Sequence, residues 1–308
     1  MYNFIIVGDN MYDLIIVGAG PAGMTAALYA LRANKKVLIL EAKSYGGQIL
    51  LASNIENYPA IKEISGYDYS KNLYDQIKAL GVEYKNEIVL KVDSDKTVTT
   101  NDNTYQGKAV ILATGASSRK LGLKNEDILT GKGVSYCATC DGNFFKNKIV
   151  AVNGGGNTAI GDALYLSNIA KKVYLIHRRD DFRADKKSIK ELKAKENIEI
   201  MTNRIIAKLN GTKKLDSITI VDNDGEQDTD IVVDALFIAI GQEPKNTIFT
   251  NVAEIDENGY FISEDGVHTK TPNIYIAGDA RQKVLRQLTT AVSDGSIAAV
   301  VAIKEMSE

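Results

Sequence analysis

The chain has 308 residues, long for one hydrophobic core, and its 37 Lys and Arg nearly cancel its 39 Asp and Glu. No basic run offers a footprint for nucleic acid, and 44% apolar with 25% charged residues is the balance of an ordinary soluble globular protein. No apolar stretch reaches the length of a membrane span, and no basic segment with a cleavage-like site marks the N-terminus, so a cytoplasmic chain without membrane or nucleic-acid partners is expected.

Residues 1–10, MYNFIIVGDN, nearly repeat residues 11–20, MYDLIIVGAG, with six of ten positions identical. Both copies read as a short buried strand entering a glycine turn, but only the second continues into a helix. A parallel sheet has one place for this strand. Residues 1–10 are therefore expected to be an extension ahead of a natural start at Met11, the alternative being an added edge strand.

From Asp13 to Glu41 the pattern is a complete dinucleotide-binding unit. Strand Leu14–Val17 runs into Gly18-Ala19-Gly20-Pro21-Ala22-Gly23, a helix follows from about Ala22 to Ala33, and a strand over Val37–Leu40 ends in Glu41. Gly18 makes the turn, Gly20 lets backbone approach a pyrophosphate, and Gly23 lets helix and sheet pack closely. The helix N-terminus then faces the phosphates. Glu41 is placed to accept hydrogen bonds from an adenosine ribose. Gly46-Gly47-Gln48 and Asn57-Tyr58-Pro59 are turn signals. An amphipathic helix is expected over 70–80 and short strands over 82–108. A further apolar strand, from Ala109, closes on Thr114-Gly115 at a domain edge.

Cys137 and Cys140 are the only cysteines. Their C-x-x-C spacing lowers the pKa of one sulfur, and a thiolate is what attacks a disulfide. Asp141 follows within reach for proton transfer. Half of a zinc site, which only His177 and His268 could complete, and two unrelated buried thiols are the alternatives at this point.

A second dinucleotide unit follows. Strand Ile149–Val152 leads into Gly154-Gly155-Gly156-Asn157-Thr158-Ala159, a helix to about Ile169, and a strand over Val173–Ile176. His177 stands 23 residues after Gly154, the interval that separates Gly18 from Glu41. The second unit thus places His177-Arg178-Arg179 where the first has its acid, and Arg183 adds another guanidinium. An acid there suits a free 2′-hydroxyl, whereas arginines suit the 2′-phosphate of NADP. Strands resume to about residue 235. Phe237–Gly241 then echoes Leu112–Gly115, so the second unit is inserted into the first. Strand Ile274–Ala277 ends in Gly278-Asp279, Arg286-Gln287 follows, and a helix is expected over 288–304; this last segment returns to the first domain.

In these motifs the chain resembles the bacterial low-molecular-weight thioredoxin reductases, from Met11 to near its C-terminus. The resemblance implies an α/β fold of two Rossmann-like domains, the second inserted into the first. FAD would lie on residues 1–117 and 247–308, and NADPH on residues 118–246, which carry the redox pair. For FAD it implicates Gly18, Gly20, Pro21, Ala22, Gly23, Glu41, Gly46, Gly47, Gln48, Asn57, Thr114, Gly115, Gly278, Asp279, Arg286 and Gln287. For NADPH it implicates Gly154, Gly156, Asn157, Thr158, His177, Arg178, Arg179 and Arg183. Catalysis falls to Cys137, Cys140 and Asp141, without a metal. A homodimer acting on thioredoxin or a thioredoxin-like protein is implied, with hinges near 116–121 and 243–247. The family's larger relatives carry their cysteines just after the Gly-Gly, and none follows Gly47 here. Three departures stand out: residues 1–10, Asn153 where an apolar residue is usual, and Gly161-Asp162 in place of an acidic pair. Rival readings are a ferredoxin-dependent or other flavoprotein of the same architecture and a non-enzymatic redox sensor.

Overall fold

The computed structural model describes residues 11–52, 55–222, 225 and 228–307. Residues 1–10, with the extension expected there, lie outside them. Strand β1 (Tyr12–Val17) enters α1 (Pro21–Arg32), whose proline sits in the first turn, where its missing N–H would have had no partner. After β2 (Val37–Leu40), α2 (Gly66–Ala79) begins earlier than the helix expected over 70–80 because Ser65 caps it, Oγ accepting from Asp68 N at 3.0 Å. Strands β3 (Glu83–Lys85), β4 (Val89–Val92), β5 (Thr97–Thr100) and β6 (Thr104–Leu112) follow. The separate strand expected from Ala109 is the second half of β6. Its first residues pair antiparallel with β5, and Gly107–Leu112 run parallel to β1.

Beyond β7 (Ser117–Ser118) come α3 (Glu126–Leu129), β8 (Val134–Ser135), α4 (Ala138–Asp141), β9 (Ile149–Asn153), α5 (Asn157–Ser167), β10 (Lys172–His177), α6 (Lys186–Lys193) and β11 (Ile198–Thr202). Next are β12 (Arg204–Asn210), β13 (Ser217–Asp222), β14 (Asp228–Val232), β15 (Ala235–Ile238) and β16 (Gln242–Glu243), the last pairing with β7. Strand β17 (Ile274–Ile276) and α7 (Leu288–Glu305) complete the chain. The described residues form two compact units, one of 11–50, 55–117 and 243–307, the other of 51–52 and 118–242. Residues 243–246 fall in the first unit, where Asn246 is fully buried.

Each unit is built on the same parallel sheet. The order is β3-β2-β1-β6-β17 in the first and β11-β10-β9-β15-β8 in the second. The strand leading to the glycine turn is central in both, as in dinucleotide-binding folds. The backbone repeats to the atom: Gly18 N donates to Leu40 O at 2.8 Å and Gly154 N to Ile176 O at 3.0 Å. Ala113 N donates to Val17 O at 2.8 Å, as Ala239 N does to Asn153 O at 2.8 Å.

Both faces of each sheet are covered, so the central strands read as unbroken apolar runs. In the second unit Val150, Val152, Val173, Leu175 and Phe237 pack on α5 through Ala159, Ile160, Ala163 and Leu166. Their neighbours Ala151, Ile176, Leu236 and Ile238 face the antiparallel β12–β14 sheet through Ile206, Ile218, Ile220 and Ile231. In the first unit one face of β1, β2, β6 and β17 packs on Val92, Val98, Phe249 and Phe261.

Candidate active site

The three glycines of the first turn have three separate structural causes. Gly18 has φ +107°, and a Cβ there would lie 2.3 Å from Ala113 O. A Cβ on Gly23 would lie 1.9 Å from Gly18 O, so α1 can meet β1 only without a side chain. Gly20 caps α1 at φ −74°, and its Cβ would meet nothing within 4 Å. That open space in front of free helix N–H groups is what a bound phosphate would fill. Glu41 accepts from Ala19 N at 2.8 Å and Lys43 N at 2.9 Å, which fixes its carboxylate beside the turn with lone pairs to spare.

Distant motifs converge on this turn. Gly46 N donates to Ala19 O at 2.8 Å, and a Cβ on Gly47 would stand 3.3 Å from Gly20 Cα; Gln48, exposed, follows in a short 3-10 helix. Gly278 lies against Ala22, its Cβ position 2.8 Å from that methyl. Asn57 Nδ2 donates to Gln287 Oε1 at 3.1 Å, joining residues far apart in sequence. Arg286 lies over the Tyr260 ring at 3.9 Å and donates to Asp279 O at 3.3 Å and Arg281 O at 3.1 Å. The Thr114 hydroxyl donates to Asn246 Oδ1 at 2.7 Å. Asn246 in turn ties Gly259 O and Ala280 O, both at 2.9 Å. Asn246, which holds Thr114 beside the cradle, is a residue that sequence reading missed.

In the second unit Gly154 has φ +152°, with a Cβ position 2.4 Å from Ala239 O. Gly155 is the unexpected member: a Cβ there would lie 2.1 Å from His177 Cε1. The imidazole lies over that glycine, stacks on Phe182 at 5.3 Å, and its Nε2 meets Asp181 O at 3.2 Å. Burial lowers the His177 pKa, and Arg178, Arg179 and Arg183 press in the same direction. His177 thus clamps the 178–183 turn onto the glycine loop. Arg183 N donates to Gly155 O at 2.7 Å and Asp185 N to Asn157 Oδ1 at 2.9 Å, completing the clamp. Arg178, Arg179 and Arg183 are exposed around it, as is Thr158 in the first turn of α5. Asn153, the departure ahead of the glycines, is buried and donates through Nδ2 to Ile176 O at 3.3 Å. Gly161 is exposed with nothing within 4 Å of its Cβ position, so no packing need offsets its helix penalty of ~1 kcal/mol.

Cys137 and Cys140 are joined as a disulfide, with Cα atoms 5.3 Å apart across the single turn of α4. The sulfurs are bonded to each other; His177 is packed on its glycine, and His268 pairs with Asp265 and Glu305 in the other unit. Asp141 Oδ2 accepts from Ser135 Oγ at 2.7 Å, and Ser135 Oγ accepts from Cys137 N at 3.1 Å. Asp141 Oδ1 is buried and makes no hydrogen bond among the described residues. Burial raises the Asp141 pKa, and the Ser135 bond pulls it back only in part. A carboxyl held up in this way, beside a sulfur in the chain, is placed to give and take the proton of a thiol. Ser135, which ties acid and cysteine together, carried no sequence signal beyond its nearness.

The family model of the pyridine nucleotide-disulphide oxidoreductases matches residues 12–295. The chain is 39% identical over 308 residues to a thioredoxin reductase of Mycoplasma genitalium, covering 98% of both chains. It is 42% identical over 295 residues to one of Treponema pallidum, covering 94% of this chain and 96% of that one. The crystal structure of thioredoxin reductase from Streptococcus pyogenes superposes with a TM-score of 0.91 at 40% identity, covering 96% and 98% of the two chains. Its two glycine cradles, its redox pair and these relatives agree: the chain belongs to the pyridine nucleotide-disulphide oxidoreductase family, in the low-molecular-weight thioredoxin reductase branch.

Proposed function

We propose that the protein is an NADPH-dependent thioredoxin-disulfide reductase that carries electrons through FAD and the Cys137–Cys140 pair. The observation that carries this reading is the disulfide itself, with the raised Asp141 carboxyl beside it, in a chain that builds two dinucleotide cradles. The residues fit both cofactors. In the first unit the open face of Gly20 accommodates a pyrophosphate and Glu41 a free ribose, which suits FAD. In the second, the exposed Arg178, Arg179 and Arg183 beside the Gly154–Gly156 loop suit the 2′-phosphate of NADPH. Once bound, the nicotinamide and flavin supply the two-electron chemistry that opens the disulfide.

The chain's own residues do the rest. Reduction of Cys137–Cys140 yields a thiol and a thiolate, and Asp141 holds or moves the proton at the sulfur. One thiolate attacks the disulfide of thioredoxin and forms a mixed disulfide. The second sulfur then attacks that bond, restores Cys137–Cys140 and releases thioredoxin as a dithiol. The sum is NADPH, a proton and thioredoxin disulfide giving NADP⁺ and thioredoxin dithiol. A homodimer in the cytoplasm is the setting that the resemblance implies; among the described residues no helix is long and apolar enough to cross a membrane. Exposed Ile297 and Val300 on α7, with Tyr29 on α1, are apolar surface that suits a subunit contact.

The test is spectroscopic. The purified protein should be yellow, bleach on anaerobic addition of NADPH, and regain its colour when oxidised thioredoxin is added. A flavin that bleaches but is not reoxidised by thioredoxin would overturn the substrate reading.

A further inference from the structure

Asp141 stands on a weak element. α4 is a single turn, which does not hold its shape on its own, so the carboxyl must be fixed from a stiffer part of the fold. Ser135 supplies that anchor. It ends β8, which runs parallel to β15 with Val134 opposite Leu236 and Ser135 opposite Phe237, and Leu236 N donates to Gly133 O at 2.7 Å. The residue is only 6% exposed, so its hydroxyl finds its partners in the protein.

A serine hydroxyl has one proton and two lone pairs. Cys137 N, which can only donate, takes a lone pair of Ser135 Oγ at 3.1 Å. Two acceptors compete for the hydroxyl proton, Asp141 Oδ2 at 2.7 Å and Cys137 O at 3.4 Å. The nearer one belongs to a carboxyl, and a hydrogen bond to a charged acceptor is roughly twice as strong as one to a neutral carbonyl. The proton therefore points at Asp141. One oxygen atom thus holds both the amide of the first cysteine and the acid that follows the second. Cys137 O in turn accepts from Asp141 N at 3.1 Å and closes the loop.

Resting on the thioredoxin reductase reading, we propose that Ser135 is a positioning residue for disulfide exchange: its hydroxyl holds Asp141 in place and ionised, ready to receive the proton of the second thiol. That proton leaves as the second sulfur attacks the mixed disulfide and the Cys137–Cys140 bond closes. Asp141 then returns it to the departing thiolate of thioredoxin, so no proton is gained or lost. A bond donated to Oδ2 favours the carboxylate. Burial pushes the Asp141 carboxyl up, and the Ser135 bond alone pulls it down. The elements packed on α4 do not replace it. From α5, Tyr165 lies against Gly142, whose Cβ position is 3.0 Å from the ring, and Asp162, itself pushed up to about 7 by burial, stands one turn earlier. The turn over Gly142–Phe145 carries no ionisable group, and the Tyr136 hydroxyl after β8 is given to Glu126. Without Ser135 the carboxyl therefore keeps its proton to higher pH, where it cannot serve as a base.

The experiment measures thioredoxin turnover by the holoenzyme between about pH 5 and pH 9, beside stopped-flow reduction of the flavin by NADPH. The limb of the pH profile that Asp141→Asn removes marks the carboxyl. Ser135→Ala should move that limb up by about one pH unit, the worth of a modest charge-assisted hydrogen bond, and leave flavin reduction as it was. Ser135→Thr, which keeps the hydroxyl, should return the limb most of the way. In the Asp141→Asn background Ser135→Ala should lose nothing further, because no carboxylate is left to set. A Ser135→Ala loss equal at every pH, or one that persists in the Asp141→Asn background, makes the serine a packing residue and overturns the inference. A Ser135→Ala profile identical to that of the unaltered chain does so too, as does a profile from which Asp141→Asn removes no limb. An unaltered holoenzyme whose NADPH-reduced flavin is not reoxidised by thioredoxin overturns the reductase reading instead.

Discussion

Gly20 and Gly23 stand three residues apart at the start of α1, and the structure assigns them opposite sensitivities to the same methyl group. Gly20→Ala places Cβ in open space at φ −74°, ψ 179°, a conformation alanine adopts freely. The substitution should leave stability unchanged or raise it by about 0.4–1 kcal/mol, because the unfolded chain loses freedom. The same methyl occupies the volume that a pyrophosphate must approach. An overpacking cost of ~1–3 kcal/mol, felt only when cofactor is bound, weakens FAD by about 5- to 140-fold. Gly23→Ala does the reverse. Its Cβ would fall 1.9 Å from the backbone O of Gly18, a turn residue whose N–H is tied to Leu40 O, so α1 must lift away from β1. The cost should reach or exceed the upper end of overpacking, ~3 kcal/mol, with or without cofactor. Urea unfolding of the flavin-free proteins, alongside equilibrium FAD titration, separates the two effects. A Gly20→Ala protein that binds FAD as the unaltered chain does would refute the assignment of this loop as the pyrophosphate cradle, whatever Gly23→Ala does.

Other outcomes follow from the remaining sites. Cys140→Ser should still let NADPH reduce the flavin in stopped flow while thioredoxin turnover falls to background; full turnover would end the relay reading. Replacing Arg178 and Arg179 together with alanine should erase most of the preference for NADPH over NADH and leave FAD affinity untouched, as read from the ratio of kcat/KM values. Asp141→Asn should slow the proton-dependent thiol steps by about 10²–10⁴-fold without slowing flavin reduction by NADPH. His268 lies between Asp265 and Glu305, 2.7 Å from the latter, and both carboxylates raise its pKa. A raised histidine pKa contributes stability that is complete below the unfolded value of about 6.5 and fades as pH rises through the folded one. The side chain is 42% exposed, so His268→Gln should cost only ~0.2–1 kcal/mol at acidic pH and less at alkaline pH, seen in urea midpoints across pH. A penalty that grows with pH would contradict this pairing.

What could be read without coordinates was local. A glycine at 18, 20 or 23 is constrained by atoms a few residues away, so spacing alone conveys turn, opening and close packing. The interval from Gly18 to Glu41 equals that from Gly154 to His177 because one strand–helix–strand length separates them in each unit. The insertion of one unit into the other was legible for the same reason, since the strand before Gly115 and the strand before Gly241 carry the same apolar run.

The tertiary structure decided whatever depends on segments that meet across long stretches of chain. The resemblance makes Thr114 a cofactor contact, and only the folded chain brings Asn246 back to bond its hydroxyl. His177 occupies the position that Glu41 holds in the first unit, and only the folded chain packs its ring on Gly155 and Phe182, a clamp that needs the 178–183 turn folded back. Ser135 is an ordinary polar residue until burial removes water from it and leaves Asp141 and Cys137 N as its partners. Backbone conformation and apolar period are set by near neighbours and leave a mark at fixed spacing, whereas a buried hydrogen bond is chosen by whichever group the finished fold brings within 3 Å, or about that, and leaves none.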